Sequence, residues 1–133
     1  LECLRLVKQG LPSHTPLIQT IFDPLSQAKN LVGKEGLLVH MRQYPEALLT
    51  GLEIIMNNTI QFINECIGLG IDGIFFAIQH AQASLLSLDE LNRFLIPFDE
   101  QILTAASSLW LNLEHLHGKD LYFEQVPMNG IYI

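Results

Sequence analysis

The chain has 133 residues, enough for one ordinary domain, and carries a net charge of −7 with only seven Lys and Arg. Cations this sparse make no phosphate-binding stripe, which argues against nucleic acid as a partner. Hydrophobic residues make up 49% and charged residues 16%, the composition expected of a piece that sits inside a larger assembly. Cys3 and Cys66 match no zinc or redox spacing, so the expected compartment is reducing. No apolar run reaches the roughly 18 residues of a membrane span, and the N-terminus has no signal-peptide pattern. The expectation is a cytoplasmic protein with no membrane association.

In chain order, residues 1–9 read as the last turns of a helix stopped by Gly10. Residues 17–22 form a β-branched and aromatic run between Pro16 and Asp23-Pro24, the pattern of a strand. Residues 24–32 predict a short helix with Pro in its first turn and Gly33 just past its end. Residues 35–41 predict one or two further helical turns. The strongest helix starts at Pro45-Glu46. Leu48, Leu52, Ile55, Met56, Thr59, Ile63 and Ile67 share one face of it, and Gly68 and Gly70 end it. The run 74–78 is apolar on both alternations, as in a strand covered on both sides. Ser87-Leu88-Asp89-Glu90 has the form of a capping box, followed by helix to about Ser107 with a break or kink at Pro97. Residues 109–116 predict a third strand, 119–125 a short helical turn and 128–133 a fourth strand.

Strands alternating with helices predict parallel pairing with right-handed crossovers. The fold class is therefore α/β, built of parallel β/α units. Four such strands fit a small open sheet or about half of a (β/α)8 TIM barrel. The sequence begins in a helical pattern and stops in a strand pattern, so the expectation is a single partial domain over 1–133 that is inactive alone. A terminal edge strand is the alternative reading of the last residues.

Polar residues gather where the strands end, which is where parallel α/β folds place their sites. These are Asp23, then Gln79 and His80, then His115 and His117. Strand ends are also polar simply because they leave the core. His115 and His117 are two apart, so they share a face and suit a metal such as zinc. Two hydrogen-bonded histidines lining a polar cavity are the competing reading. Glu114 points to the opposite face. His14, His40, Lys29 and Asn30 read as loop or helix surface, and Ser87 reads as a cap rather than a nucleophile. No glycine-rich phosphate loop is present.

Three segments together resemble the uroporphyrinogen decarboxylase family: Ile18-Gln19-Thr20-Ile21-Phe22-Asp23-Pro24-Leu25-Ser26-Gln27-Ala28-Lys29-Asn30-Leu31, Asp72-Gly73-Ile74-Phe75-Phe76-Ala77-Ile78-Gln79-His80-Ala81, and Leu113-Glu114-His115-Leu116-His117-Gly118. The resemblance implies the middle portion of a (β/α)8 barrel of about 250 residues or more. It implies a cofactor-free lyase that removes carboxyls from a tetrapyrrole, in porphyrin and haem biosynthesis. Asp23, Asn30, Gln79 and His80 would line the substrate pocket, and the small-molecule substrate would need the rest of the barrel or an oligomer partner. The family's relatives include zinc-dependent methyltransferases acting between corrinoid proteins and thiols. These carry His-X-Cys-Gly where this chain has His115 and His117, so that resemblance implies a zinc site there.

The chain also departs from the decarboxylases. Asn30 stands at their substrate-binding tyrosine, and Ile78-Gln79-His80 stands where they carry a serine. Three readings follow: a decarboxylase-type fragment, a zinc methyltransferase-type fragment, and a non-catalytic truncated chain that persists by pairing with another.

Overall fold

The computed structural model describes residues 1–127 and the backbone of residues 131–132. Its elements are α1 (Glu2–Gly10), β1 (Ile18–Phe22), α2 (Pro24–Val32), α3 (Lys34–Gln43), α4 (Pro45–Gly68), β2 (Gly73–Ile78), α5 (Leu88–Phe94), α6 (Ile96–Ala105), β3 (Leu113–Leu116) and β4 (Ile131–Tyr132). The strands lie in the order β1-β2-β3-β4, and every neighbouring pair is parallel. This is the expected run of β/α units.

The register sorts side chains onto two faces. Ile21 pairs with Phe76, which pairs with Glu114, and Gln19 pairs with Ile74. Ile21, Ile74, Phe76 and Ile78 are buried in one core with Leu25 of α2, Leu52, Met56 and Ile63 of α4, and Phe98 and Ile102 of α6. That face is the helix-covered one. The opposite face carries Ile18, Thr20, Phe22, Phe75, Leu113 and His115, none of them buried, around the small buried residues Gly73 and Ala77. Phe22 is 38% exposed. In a closed barrel the side chains of that face fill the interior.

The helix ends show why these residues stop and start where they do. Asp23 caps α2 by accepting from Ser26 N, and Pro24 fills the first helical position, where no N–H is required. Ser87 and Glu90 form the expected reciprocal box at α5, with Glu90 N donating to Ser87 Oγ at 3.2 Å and Ser87 N to Glu90 Oε2 at 2.9 Å. On α4 the buried residues are Leu48, Leu52, Met56, Thr59, Ile63 and Cys66, while Ile55 and Ile67 are only partly covered.

Several expectations are corrected. The segment after Gly33 is a ten-residue helix rather than a turn or two. The interruption expected at Pro97 is present: two helices meet at Leu95, since proline lacks the N–H that a helix interior needs and is accommodated in the first turn of α6. The third strand starts at Leu113, not Leu109. Asn112 takes over the pairing before it: its Oδ1 accepts from Ile74 N at 3.1 Å and its Nδ2 donates to Ala106 O at 2.9 Å. Within residues 119–125 the expected short helical turn is confined to the one that closes on Tyr122 O, which accepts from Gln125 N and Val126 N at 3.2 Å, and the rest of the loop is bonded to the one after β2. Ala83 N donates to Asp120 O, Tyr122 N to Ala81 O, and the Tyr122 hydroxyl to Leu86 O. Of the fourth strand, residues 128–130 and 133 lie outside the described residues.

At the opposite end of the sheet, Asp72 ties three elements together. Its Oδ2 accepts from Leu17 N at 2.8 Å and from Lys8 Nζ at 3.2 Å, and its Oδ1 accepts from Trp110 Nε1 at 3.2 Å. These donors hold its carboxyl below the usual range, the Leu17 N–H most strongly. Gly73 follows, and a Cβ there would stand 1.6 Å from Leu111 O. The backbone between β2 and β3 therefore closes only over glycine. Gly73→Ala is expected to cost more than about 3 kcal/mol, the range of severe overpacking. Urea unfolding of the variant beside the parent chain checks this, and an unchanged midpoint would refute the close approach.

Candidate functional site

At the carboxyl ends of β1, β2 and β3 lies a pocket of about 230 Å3, lined by Lys29, Lys34, Leu37, Leu38, Gln79, His80, Leu85, Leu86 and His117. Its lining splits into two chemistries. Four leucines form an apolar wall, and two lysines, an amide and two imidazoles form the polar one. A groove of about 300 Å3 beside β1 is larger but has no titratable residue in its lining of Thr20, Ile21, Phe22, Gln27, Asn58, Thr59 and Phe62. The pocket at the strand ends, where parallel α/β folds place their sites and where two lysines and two histidines converge, is the candidate site.

A buried carboxylate builds the polar wall from behind. Asp23 is fully buried. Its Oδ2 accepts from Ser26 N at 3.0 Å and its Oδ1 from Gln79 N at 3.3 Å. The Ser26 hydroxyl makes a short hydrogen bond to the same Oδ1. Ser26 Oγ in turn lies 3.2 Å from His80 Nδ1. The end of β1, the first turn of α2 and the end of β2 are thus held by one carboxylate. Burial pushes Asp23 up to about 6, against the downward pull of the Ser26 and Gln79 hydrogen bonds.

His80 moves the other way. Burial lowers its imidazole to about 4, and the nearby charges of Lys29 and Lys34 add to the shift. At neutral pH the pocket therefore holds cationic lysines beside a neutral imidazole. Lys29 Nζ reaches Gln79 Oε1 at 3.4 Å.

The residues singled out from the sequence divide accordingly. Gln79, His80 and His117 line the pocket. Asp23 is one shell behind, bonded to Ser26. Asn30 is exposed on α2 and contributes nothing to the lining. His115 and His117 stand together with ring centroids 5.9 Å apart and planes tilted by 49°. His115 also stacks on Phe75 at 5.6 Å on the open face of the sheet. His14 and His40 are exposed, as expected. Lys29, read as helix surface, faces the pocket, and Lys34 and Ser26 went unrecognised. The signal for Ser26 was present: an Asp before Pro24 with a Ser three residues on is a helix cap whose N3 side chain stays near the cap.

On the helix-covered face, Asp99 of α6 is fully buried and neither of its oxygens has a hydrogen-bond partner among the described residues. Burial, reinforced by Asp23 and Glu114, holds its carboxyl well above the usual range. Among the described residues no group of three or more His, Cys, Asp and Glu is arranged to hold a metal ion, and no helix is long and apolar enough to cross a membrane.

The family described as Uroporphyrinogen decarboxylase (URO-D) matches residues 1–120. The chain belongs to that family. Its fold is also that of a methyltransferase from Methanosarcina mazei, with a TM-score of 0.76 and 19% sequence identity over 90% of this chain. The chain spans 35% of that methyltransferase. No curated protein sequence matches. In (β/α)8 barrels the helix-covered face of the sheet is packing, as it is for β1–β3 here.

The unpartnered Asp99 carboxyl gives a pH-dependent stability. A raised folded pKa means its contribution is fully present below the ordinary carboxylate value and is lost as pH rises through the raised one. Asp99→Asn removes that loss. Its melting temperature relative to the parent is expected to rise between pH 5 and pH 8 by at least about 3 °C, roughly 1 kcal/mol in a domain of this size. Thermal unfolding followed by circular dichroism reads the difference, and a gap independent of pH would contradict the assignment.

Proposed function

We propose that this chain supplies the substrate-binding part of a carboxy-lyase acting on a carboxylated tetrapyrrole. The observation that carries this reading is the pairing, in one pocket, of Lys29 and Lys34 with the wall of Leu37, Leu38, Leu85 and Leu86. A carboxylated tetrapyrrole has the matching chemistry, an apolar ring system with anionic arms. About 230 Å3 is small against the roughly 300–1,000 Å3 of a typical ligand pocket. It takes one edge of such a molecule, with the remainder over Phe75 and His115 on the open face of the sheet.

The chemistry constrains the roles. Loss of carbon dioxide from an acetate arm leaves an electron pair on the methylene carbon. Protonating the pyrrole ring at carbon provides a cation that accepts that pair; a second proton then adds to the methylene carbon to complete the methyl group, and the ring-carbon proton leaves to restore the pyrrole. The net change is one proton taken up and one carbon dioxide released, with no cofactor. Ammonium groups oppose a cationic ring and stabilise the carboxylate that must be lost, so they do not serve the reacting arm. Lys29 and Lys34 instead bind the arms that stay, and Gln79 holds Lys29 in place.

Uroporphyrin, followed by quenching of its fluorescence, is the probe. The chain is expected to bind it, and the Lys29→Glu, Lys34→Glu double variant to bind at least tenfold more weakly, about 1.4 kcal/mol. The fully esterified porphyrin should show no such difference. Equal binding of acid and ester, or no loss in the double variant, would remove the basis of the proposal. In the natural protein, absence of turnover with carboxylated porphyrinogens would exclude the lyase activity.

A second reading rests on His115 and His117, which fit as two ligands of a four-coordinate zinc ion: both are nitrogen donors, on one face, with adjacent rings. The remaining ligands would come from outside the described residues. Zinc bound there would supply a Lewis acid that turns a substrate thiol into a thiolate. Under that reading the natural protein purifies with one equivalent of zinc, and the His115→Ala, His117→Ala double variant loses it. Elemental analysis decides the matter, and zinc retained by the variant would defeat the reading.

A further inference from the structure

The hydrogen bonds behind His80 run in one direction, and donor counting sets it. The Asp23 carboxylate can only accept, and it receives Ser26 N, Gln79 N and the Ser26 hydroxyl. A serine hydroxyl has one hydrogen, and that hydrogen is committed to Asp23. Ser26 Oγ therefore faces His80 Nδ1, 3.2 Å away, as an acceptor. We infer that Asp23 and Ser26 lock His80 in the tautomer protonated on Nδ1, leaving Nε2 a bare acceptor at the pocket, so that the ligand of this pocket presents an N–H or O–H donor next to its anionic groups.

The surroundings agree with a neutral ring. His80 is 8% exposed, and Lys29 and Lys34 both act to keep its proton off. Nδ1 is occupied by Ser26, and no described residue is hydrogen-bonded to Nε2, while the ring lines the pocket. A free imidazole favours no such arrangement by itself; the second ring nitrogen's state is set by what the first one bonds to. Asp23 and Ser26 are thus positioning residues, and His80 is the group that meets the ligand. The lysines select for negative charge, and the bare nitrogen selects for a donor between the charges. A pyrrole N–H flanked by carboxylate arms satisfies both, so the donor assignment deepens the tetrapyrrole reading. The tautomer itself does not rest on that reading.

Two measurements separate these parts. Long-range proton–nitrogen correlation spectra of the 15N-labelled, ligand-free chain at pH 7 report which ring nitrogen carries hydrogen, with His80 assigned by difference against His80→Gln. The parent chain is expected to show the Nδ1–H tautomer alone. Ser26→Ala should populate the Nε2–H form, and Ser26→Thr, which keeps the hydroxyl, should restore the parent pattern. An Nε2–H tautomer in the parent chain overturns the inference whether or not the variants fold, as does an unchanged tautomer in folded Ser26→Ala.

The second measurement titrates the chain with pyrrole-2-carboxylate and with its N-methyl analogue, by isothermal calorimetry. The N–H form is expected to bind about fivefold more tightly, the worth of one hydrogen bond to a neutral acceptor. The preference should vanish in His80→Phe. Equal affinities in the parent chain, or binding of neither compound, would overturn the donor assignment. A failure of the porphyrin titration would leave the spectral result standing, so the two proposals fail separately.

Discussion

Moving the Asp23 carboxylate out of water is costly, and the hydrogen bonds that offset part of that cost fix the rim of this fold. A buried carboxylate without partners would pick up a proton or unfold its surroundings. Here three donors converge on it, two from Ser26 and one from the backbone of Gln79. Each donor belongs to an element that must be in its native place for the bond to form. β1 ends at Asp23, α2 begins there, and β2 is stopped at the right height beside it. Satisfying one charge therefore sets the rim of the sheet, and the pocket is built on that rim. Asp72 does a related job at the other end of the strands, where it joins α1, the start of β1 and the approach to β3. Two aspartates in sequence-distant turns thus hold the two ends of the β1–β2 pair.

The same burial divides the titrating groups. Below pH 6.5 the two groups at the rim pull stability in opposite directions. The depressed His80 pKa stabilises the fold above 6.5, and that contribution is lost as pH falls toward 4. The raised Asp23 pKa works the other way: its contribution is present below 3.8 and lost as pH rises through 6. The pocket is consequently built from groups whose charges are decided by their neighbours. Lysines supply the positive field, and a neutral imidazole supplies directionality. That combination suits recognition of an anion with an apolar body. The His115–His117 pair stands on the open face next to it, so a metal there and a ligand in the pocket would share one mouth.

Much of the fold was legible in sequence because its signals are local. Pro24 and Gly33 bracket α2, the one-sided stripe of α4 and the capping box at Ser87 all follow from contacts within a few residues, and each matches the structure. The all-apolar run of β2 announced a strand covered on both sides, and every residue of β2 but Phe75 is buried. The misreadings occur where distant chain takes over local preference. The segment 109–112 has strand composition but is diverted by the Asn112 side chain, which bonds to β2 and to the end of α6. Residues 119–125 keep only the single turn that closes on Tyr122 O, and the rest of the segment is bonded to the loop after β2. The alternating order of strands and helices and the three motif segments were enough to indicate the family.

For the site, the sequence determined which polar residues stand at the strand ends, because the two-residue period of a strand and its termination are written in neighbouring side chains. It could not determine which of them would meet. Asn30 and Lys29 are adjacent on the same helix and were equally plausible as surface residues, yet only Lys29 turns to the pocket. That difference is one helical step of about 100°, and its meaning depends on where α3 and the loop after β2 lie. Likewise the roles of Ser26 and His80 arise only when β1 and β2 pair in parallel and bring residues 54 apart in sequence to 3.2 Å. The chemistry of each side chain belongs to the sequence. Its charge, its tautomer and its partner were decided by tertiary structure, through burial and through the direction in which a single hydroxyl hydrogen points.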